Sequence, residues 1–139
     1  MTTSPSPSPS PSTTITFLIF VTRKPTLSPD AFKDYYENKH IPLLRSLAGP
    51  IFPISHTRRY LARDPTPPDY PPRVILGNPD GFDYDAFAEA TFENEDMLRE
   101  FQKVMVSKEV LEDEDRFTDR SRLRVVALGE TRVAERPGE

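Results

Sequence analysis

Apolar positions along the chain follow a β-α-β-β-α-β order. Thr14 to Thr22 is a β-branched and aromatic run in which both alternating sets, Ile15/Phe17/Ile19/Val21 and Leu18/Phe20, are apolar. That pattern predicts a strand covered on both faces. Lys24-Pro25 ends it, and Ser28-Pro29-Asp30 starts a helix, with Ser28 as N-cap and Pro29 in the first helical position. Phe32, Tyr36, Leu43 and Leu47 recur at near-helical spacing, and His40 follows Tyr36 by one turn. Pro42 lies inside this pattern, so a kink or break is expected at His40 to Ile41; Gly49-Pro50 closes the element.

Ile54 to Ala62 alternates as a second strand, and Tyr84 to Glu93 as a third, although Ala86, Ala88 and Ala90 are weak strand formers. Asn94 caps a helix whose apolar face is Met97/Leu98, Phe101 and Val104/Met105. Ser107 begins a further short helical piece through Glu112, and Leu123 to Leu128 is the last strand, ended by Gly129. This order predicts an α+β fold, a ferredoxin-like βαββαβ protomer, over residues 14–130. Residues 1–13 read as a disordered Ser/Pro-rich tail and residues 131–139 as a polar C-terminal tail. The Pro-rich stretch Pro65 to Pro72 reads as a long surface loop. Both helices on one face of an antiparallel sheet leave its other face needing cover. A second copy packed sheet to sheet is the economical solution, so a homodimer is expected.

Composition narrows the chemistry. With 36% apolar and 29% charged residues in 139, the chain has the make-up of a globular domain. It has no cysteine, which excludes disulfide scaffolds, thiol nucleophiles, Cys-ligated zinc and iron–sulfur clusters. Two histidines leave little for a His-based metal site, so no metal is expected. A net charge of −4 argues against nucleic acid as a partner. The apolar run Ile15 to Val21 is too short to span a membrane, and the first residues carry neither a secretory signal pattern nor transit-peptide arginines. There is no Gly-rich phosphate loop, nucleophile elbow, HExxH or dinucleotide fingerprint. Chemistry is therefore expected from acid–base and electrostatic groups without a cofactor.

Three groups could supply it. Tyr35, Tyr36 and His40 sit on the first helix, where a histidine titrating near neutrality and a phenol one turn away can share a pocket. The alternative is a half-buried His40 bonding a carbonyl at the Pro42 kink. Alternation puts His56, Arg58 and Tyr60 on one face of the second strand, where they could bind a carboxylate and offer a proton beside it; an exposed edge strand with solvated charges is the competing reading. Asp83 and Asp85 fall on one face of the third strand, available to pair with the arginines or orient a histidine. The run Glu112-Asp113-Glu114-Asp115 reads as a solvated face.

The segments Ile15 to Val21, Arg23-Lys24-Pro25, Ser28 to Leu43, Phe52 to Tyr60, Asp83 to Ala86, Thr91-Phe92 and Asp113 to Asp119 together resemble EthD-domain proteins of the dimeric α+β barrel group. The helix motif joined to Phe52–Tyr60 is most similar to fungal EthD-type proteins of polyketide gene clusters. Several of those are decarboxylases of atrochrysone carboxylic acid on routes to anthraquinones, and others are assigned dehydration or ring-forming steps. The resemblance implies a ferredoxin-like protomer forming a dimeric α+β barrel, a cytoplasmic place in secondary metabolism and a small-molecule polyketide substrate. It carries His40 over as the foremost functional residue. The expected catalytic set is His40, Tyr36 and His56, and the expected substrate-binding set is Arg58, Asp85, Tyr35, Phe17 and Phe92. Phe20 and Phe87 are further candidate walls. A dehydratase or cyclase on the same substrate class, and a non-catalytic accessory dimer, are the alternatives.

Overall fold

The computed structural model describes residues 14–138; the expected Ser/Pro-rich tail at 1–13 lies outside the described residues. Four strands, β1 (Ile15–Val21), β2 (Ser55–Tyr60), β3 (Ala86–Phe92) and β4 (Arg124–Ala127), form one sheet in the order β2-β3-β1-β4. Every pairing is antiparallel. The helices are α1 (Pro29–Tyr35), α2 (Ile41–Ala48), α3 (Glu95–Met105) and α4 (Lys108–Phe117). This is the expected ferredoxin-like α+β plan.

Register sorts the side chains. Phe17 pairs with Ala90, Ile19 with Ala88 and Val21 with Ala86, while His56, Arg58 and Tyr60 pair with Ala90, Ala88 and Ala86. All of these face the helices. The three alanines that are weak strand formers are fully buried, and their small side chains leave room above the sheet for something else. Leu18, Phe20 and Phe87 point to the opposite face and are half-buried; Phe20 is flanked there by Tyr84, centroids 4.9 Å apart, and by the Arg124 guanidinium at 5.4 Å. Phe20 and Phe87 are therefore not walls of the inner space.

Ser28 caps α1 by accepting the Ala31 N–H, 3.1 Å, with Pro29 inside the first turn. The break expected near Pro42 takes a particular form. Tyr36–His40 is a single π-helical turn in which the Ile41 N–H reaches back to the Tyr36 carbonyl. Pro42 has no N–H for the Asn38 carbonyl and its ring would crowd that oxygen, so the helix widens rather than stops. Asn94 caps α3 as expected, accepting from the Met97 N–H at 2.9 Å.

Helix α4 runs five residues past the expected end at Glu112, to Phe117. Val110 and Phe117, spaced by two turns, are fully buried and draw Asp113 and Glu114 inward with them. Strand β3 starts at Ala86, later than expected, so Asp83 and Asp85 precede it. Asp85 is buried against the Arg23 and Arg63 guanidinium groups: Arg23 Nε lies 3.1 Å and Arg63 Nε 2.8 Å from its Oδ1, and the Arg23 N–H donates to Oδ2 at 2.9 Å. This pair of cations fixes the long β2–β3 connection to the β1 end, and Asp85, expected to bind substrate, is engaged by the two arginines instead. Removing one member of a buried ion cluster strands the others, so Asp85→Ala is expected to cost about 3 kcal/mol, read as a lower denaturant midpoint with an unchanged slope.

Candidate functional site

A cavity of about 270 Å³ lies between the sheet and the helices. All four strands supply its floor: His56 from β2, Ala90 and Phe92 from β3, Phe17 and Ile19 from β1, and Val125 from β4. Crossing four strands spans three inter-strand gaps, about 14 Å. Tyr36, His40, Leu44, Phe101, Glu114 and Phe117 are among the residues over it. Val125, 58% exposed, and the exposed Gln102 mark the opening between β4 and α3. None of the residues lining the cavity is Lys or Arg. The shape suits a flat apolar molecule: a cavity of roughly 150 Å³ already holds one benzene ring.

His40, 3% exposed, sits on the π turn with its Nδ1 2.9 Å from Asp113 Oδ2. Tyr35 donates its hydroxyl to the other carboxylate oxygen at 2.6 Å. Burial would raise the Asp113 carboxyl, but the hydrogen bonds from Tyr35, His40 and Arg116 outweigh it and hold Asp113 below its usual range. Burial lowers the His40 imidazole against the upward pull of Asp113. At neutral pH the ring is thus neutral, with its proton on Nδ1 facing a carboxylate. Its Nε2 is left bare, an acceptor or base.

His56 is wired the other way. Arg58 donates from Nη1 to His56 Nδ1 at 2.9 Å, and the same guanidinium is gripped bidentately by Glu37. An arginine only donates, so the His56 proton must sit on Nε2. Burial, then the Arg58 cation, push this imidazole down to about 4. His56 is a neutral donor. Tyr60 adds its hydroxyl to Glu37 and closes the network on the strand side.

Glu114, 7% exposed, and Thr118, 8% exposed, are further polar members of the lining. Burial above all raises the Glu114 carboxyl to about 7, with Asp115 and Asp113 adding to the effect. Among the described residues no group of three or more His, Asp or Glu side chains is placed to hold a metal ion.

Of the expected site residues, the structure brings His40, Tyr36, His56, Phe17 and Phe92 to one cavity. Tyr35 and Arg58 lie behind it, holding Asp113 and His56, and do not line it. Asp85 belongs to the separate arginine cluster. Asp113 and Glu114, on the run expected to be a solvated face, are buried, 4% and 7% exposed, whereas Asp115 is exposed and pairs with Arg120 at 2.8 Å. The signal was present: Asp113 and Glu114 fall three and four residues after Val110, on the stripe that Phe117 continues.

Comparison with known proteins decides the family. The model of the EthD domain matches residues 24–121. The chain belongs to the EthD family. Among solved structures it is similar to an EthD-like protein of Ralstonia eutropha JMP134, 16% identical over 90% of this chain and 96% of that one, TM-score 0.54. An ethyl tert-butyl ether D (EthD) family protein of Bacillus halodurans C-125 is 18% identical over 84% of this chain and 99% of that one, TM-score 0.51. These likenesses show the shared EthD fold. A hydroxynitrile lyase from Passiflora edulis, 14% identical over 88% of this chain and 100% of that one, has a TM-score of 0.38, too remote to bear on the reaction. A search of curated proteins gave no match.

Two outcomes follow for this EthD protein. Histidine-selective nitrogen-15 spectra at pH 7 will show two neutral rings of opposite tautomer, Nδ1–H for His40 and Nε2–H for His56; matching tautomers would contradict the wiring. Both histidines also bind protons more readily when unfolded, so each withdraws stability as the pH falls below about 6.5, by up to about 1.4 kcal/mol per unit. Glu114 works oppositely, its folded value lying above its unfolded one. The His56 contribution is read by comparison with His56→Gln, whose melting temperature should fall less than that of wild type as the pH drops from 6.5 to 5.

Proposed function

We propose that this EthD protein is a cofactor-free lyase that takes an aromatic or pre-aromatic polyketide through an enolate, most directly by decarboxylating a polyketide carboxylic acid such as atrochrysone carboxylic acid. The observation that carries this reading is the neutral Nε2–H of His56 in a cavity lined by no cation. A carboxylate placed there lacks a counter-charge, which disfavours the ground state more than the transition state, where charge disperses as CO2 leaves. The carbon–carbon bonding pair flows toward the β-carbonyl, and a fixed, desolvated donor is worth most at the oxygen where negative charge develops. Phe17, Phe92 and Phe117 offer flat apolar contact along the floor and roof. The polyketide class rests on the likeness of the helix motif and Phe52–Tyr60 to fungal EthD-type proteins.

His40 favours a second reading, dehydration or ring closure of a related intermediate, because its bare Nε2 is a base backed by Asp113. In decarboxylation the same atom accepts a hydrogen bond from a substrate hydroxyl and orients the ring. A non-catalytic accessory protein would need the cavity but neither histidine arrangement. We place the protein in the cytoplasm as a homodimer. The half-buried Leu18, Phe20 and Phe87 on the outer sheet face support a second copy there, and among the described residues no helix is long and apolar enough to cross a membrane.

The test is incubation of the purified full chain with atrochrysone carboxylic acid, following loss of CO2 and of water by mass spectrometry. Wild type should accelerate CO2 loss, His56→Leu should lower that rate roughly 100-fold, and His56→Gln, which keeps a donor, should recover part of it. Water loss that disappears in His40→Ala would establish the second reading instead. Ligand binding without either loss would leave the accessory role.

A further inference from the structure

Two adjacent carboxyl groups on α4 are shifted in opposite directions, Glu114 in the cavity wall and Asp113 behind it. Asp113 has three donors, from Tyr35, His40 and Arg116. The Glu114 carboxyl lines the cavity with no hydrogen-bond or ion-pair partner among the described residues, and only its backbone carbonyl is engaged, by Thr118. A buried carboxylate without donors is costly, and the group avoids the cost by keeping its proton. Neighbouring carboxyls driven apart in this way mark an acid beside a base.

We infer that Glu114 is the proton donor of the cavity, delivering its carboxyl proton to the substrate carbon that CO2 vacates. The inference rests on the enolate reading above. Breaking the carbon–carbon bond leaves its electron pair in the enolate. A new carbon–hydrogen bond then forms with the Glu114 proton, leaving Glu114 as carboxylate, and water entering past Gln102 and Val125 restores the proton.

The other protic groups are unsuited. Burial raises the Tyr36 phenol further above neutrality, and both imidazoles are neutral at pH 7, with the His40 proton committed to Asp113. The charges facing Glu114 are Asp113 and Asp115 on its own helix, which favour the proton, and Arg120, which opposes it while bonded to Asp115. Tyr36, His40 and His56 share the cavity with it uncharged. Its ionisation near 7 matches a proton donor working at neutral pH.

The experiment compares wild type, Glu114→Gln and Glu114→Asp as full chains. Two readouts are used, CO2 loss across pH 5 to 9 and melting temperature across the same range. Wild-type turnover should fall as pH rises through about 7. Glu114→Gln should be slower by roughly 100-fold at pH 6 and lack that limb, and Glu114→Asp should recover part of the rate. Independently of turnover, Glu114→Gln should melt above wild type at pH 8 and lose that advantage at pH 5, because the raised carboxyl withdraws stability only as it ionises. Wild-type turnover matched by Glu114→Gln, or a melting difference that does not change with pH, overturns the inference while leaving the enolate reading intact. Absence of turnover in wild type overturns both.

Discussion

Asp113 accepts hydrogen bonds from Tyr35 and His40 in a place almost closed to water, and this one carboxylate ties α4 to the first helical arm. A desolvated anion tolerates little freedom in its donors, because each lost bond exposes an unpaired charge. The imidazole is therefore held in one tautomer and one orientation. The π turn makes the contact possible. It brings His40 toward Asp113 while Glu37, three residues earlier, reaches Arg58 on β2, so a single turn anchors both histidine networks.

The site is differentiated by surroundings, since residue type alone would not distinguish its members. Two histidines have opposite protonated nitrogens because one meets a carboxylate and the other a guanidinium. Two adjacent carboxyls differ because one is solvated by protein donors and the other is not. Each group is set by partners that do not themselves line the cavity, Asp113 and Tyr35 on one side and Arg58 and Glu37 on the other. Those partners do for the site what bulk water does in solution, but with a fixed direction.

Much of this was legible in the chain. Alternation placed His56, Arg58 and Tyr60 on one face, and helical spacing put Tyr36 and His40 in one pocket, because both rest on local geometry. The fate of Asp85 was not legible: its partners Arg23 and Arg63 come from distant loops, and extending the third strand back to Tyr84 gave it a face it does not have. The Glu112–Asp115 run misled for a different reason. Four consecutive acids show no polarity contrast, so the inward pull of Val110 and Phe117 was masked by the charge between them. Tyr35 and Arg58, expected to touch a substrate, lie behind the cavity wall, because sequence spacing does not distinguish a side chain touching a cavity from one holding its neighbour.

The opening between α3 and β4 separates two kinds of wall. The histidine and carboxyl groups come from the π turn, α4 and β2, whereas Leu98, Met105 and Val125, on α3 and β4, are apolar. None of these three takes part in a hydrogen bond of the histidine networks, so smaller or larger apolar side chains there would change the width of the opening and leave the wiring intact. The width of the opening and the wiring of the histidines are thus set by residues on different elements.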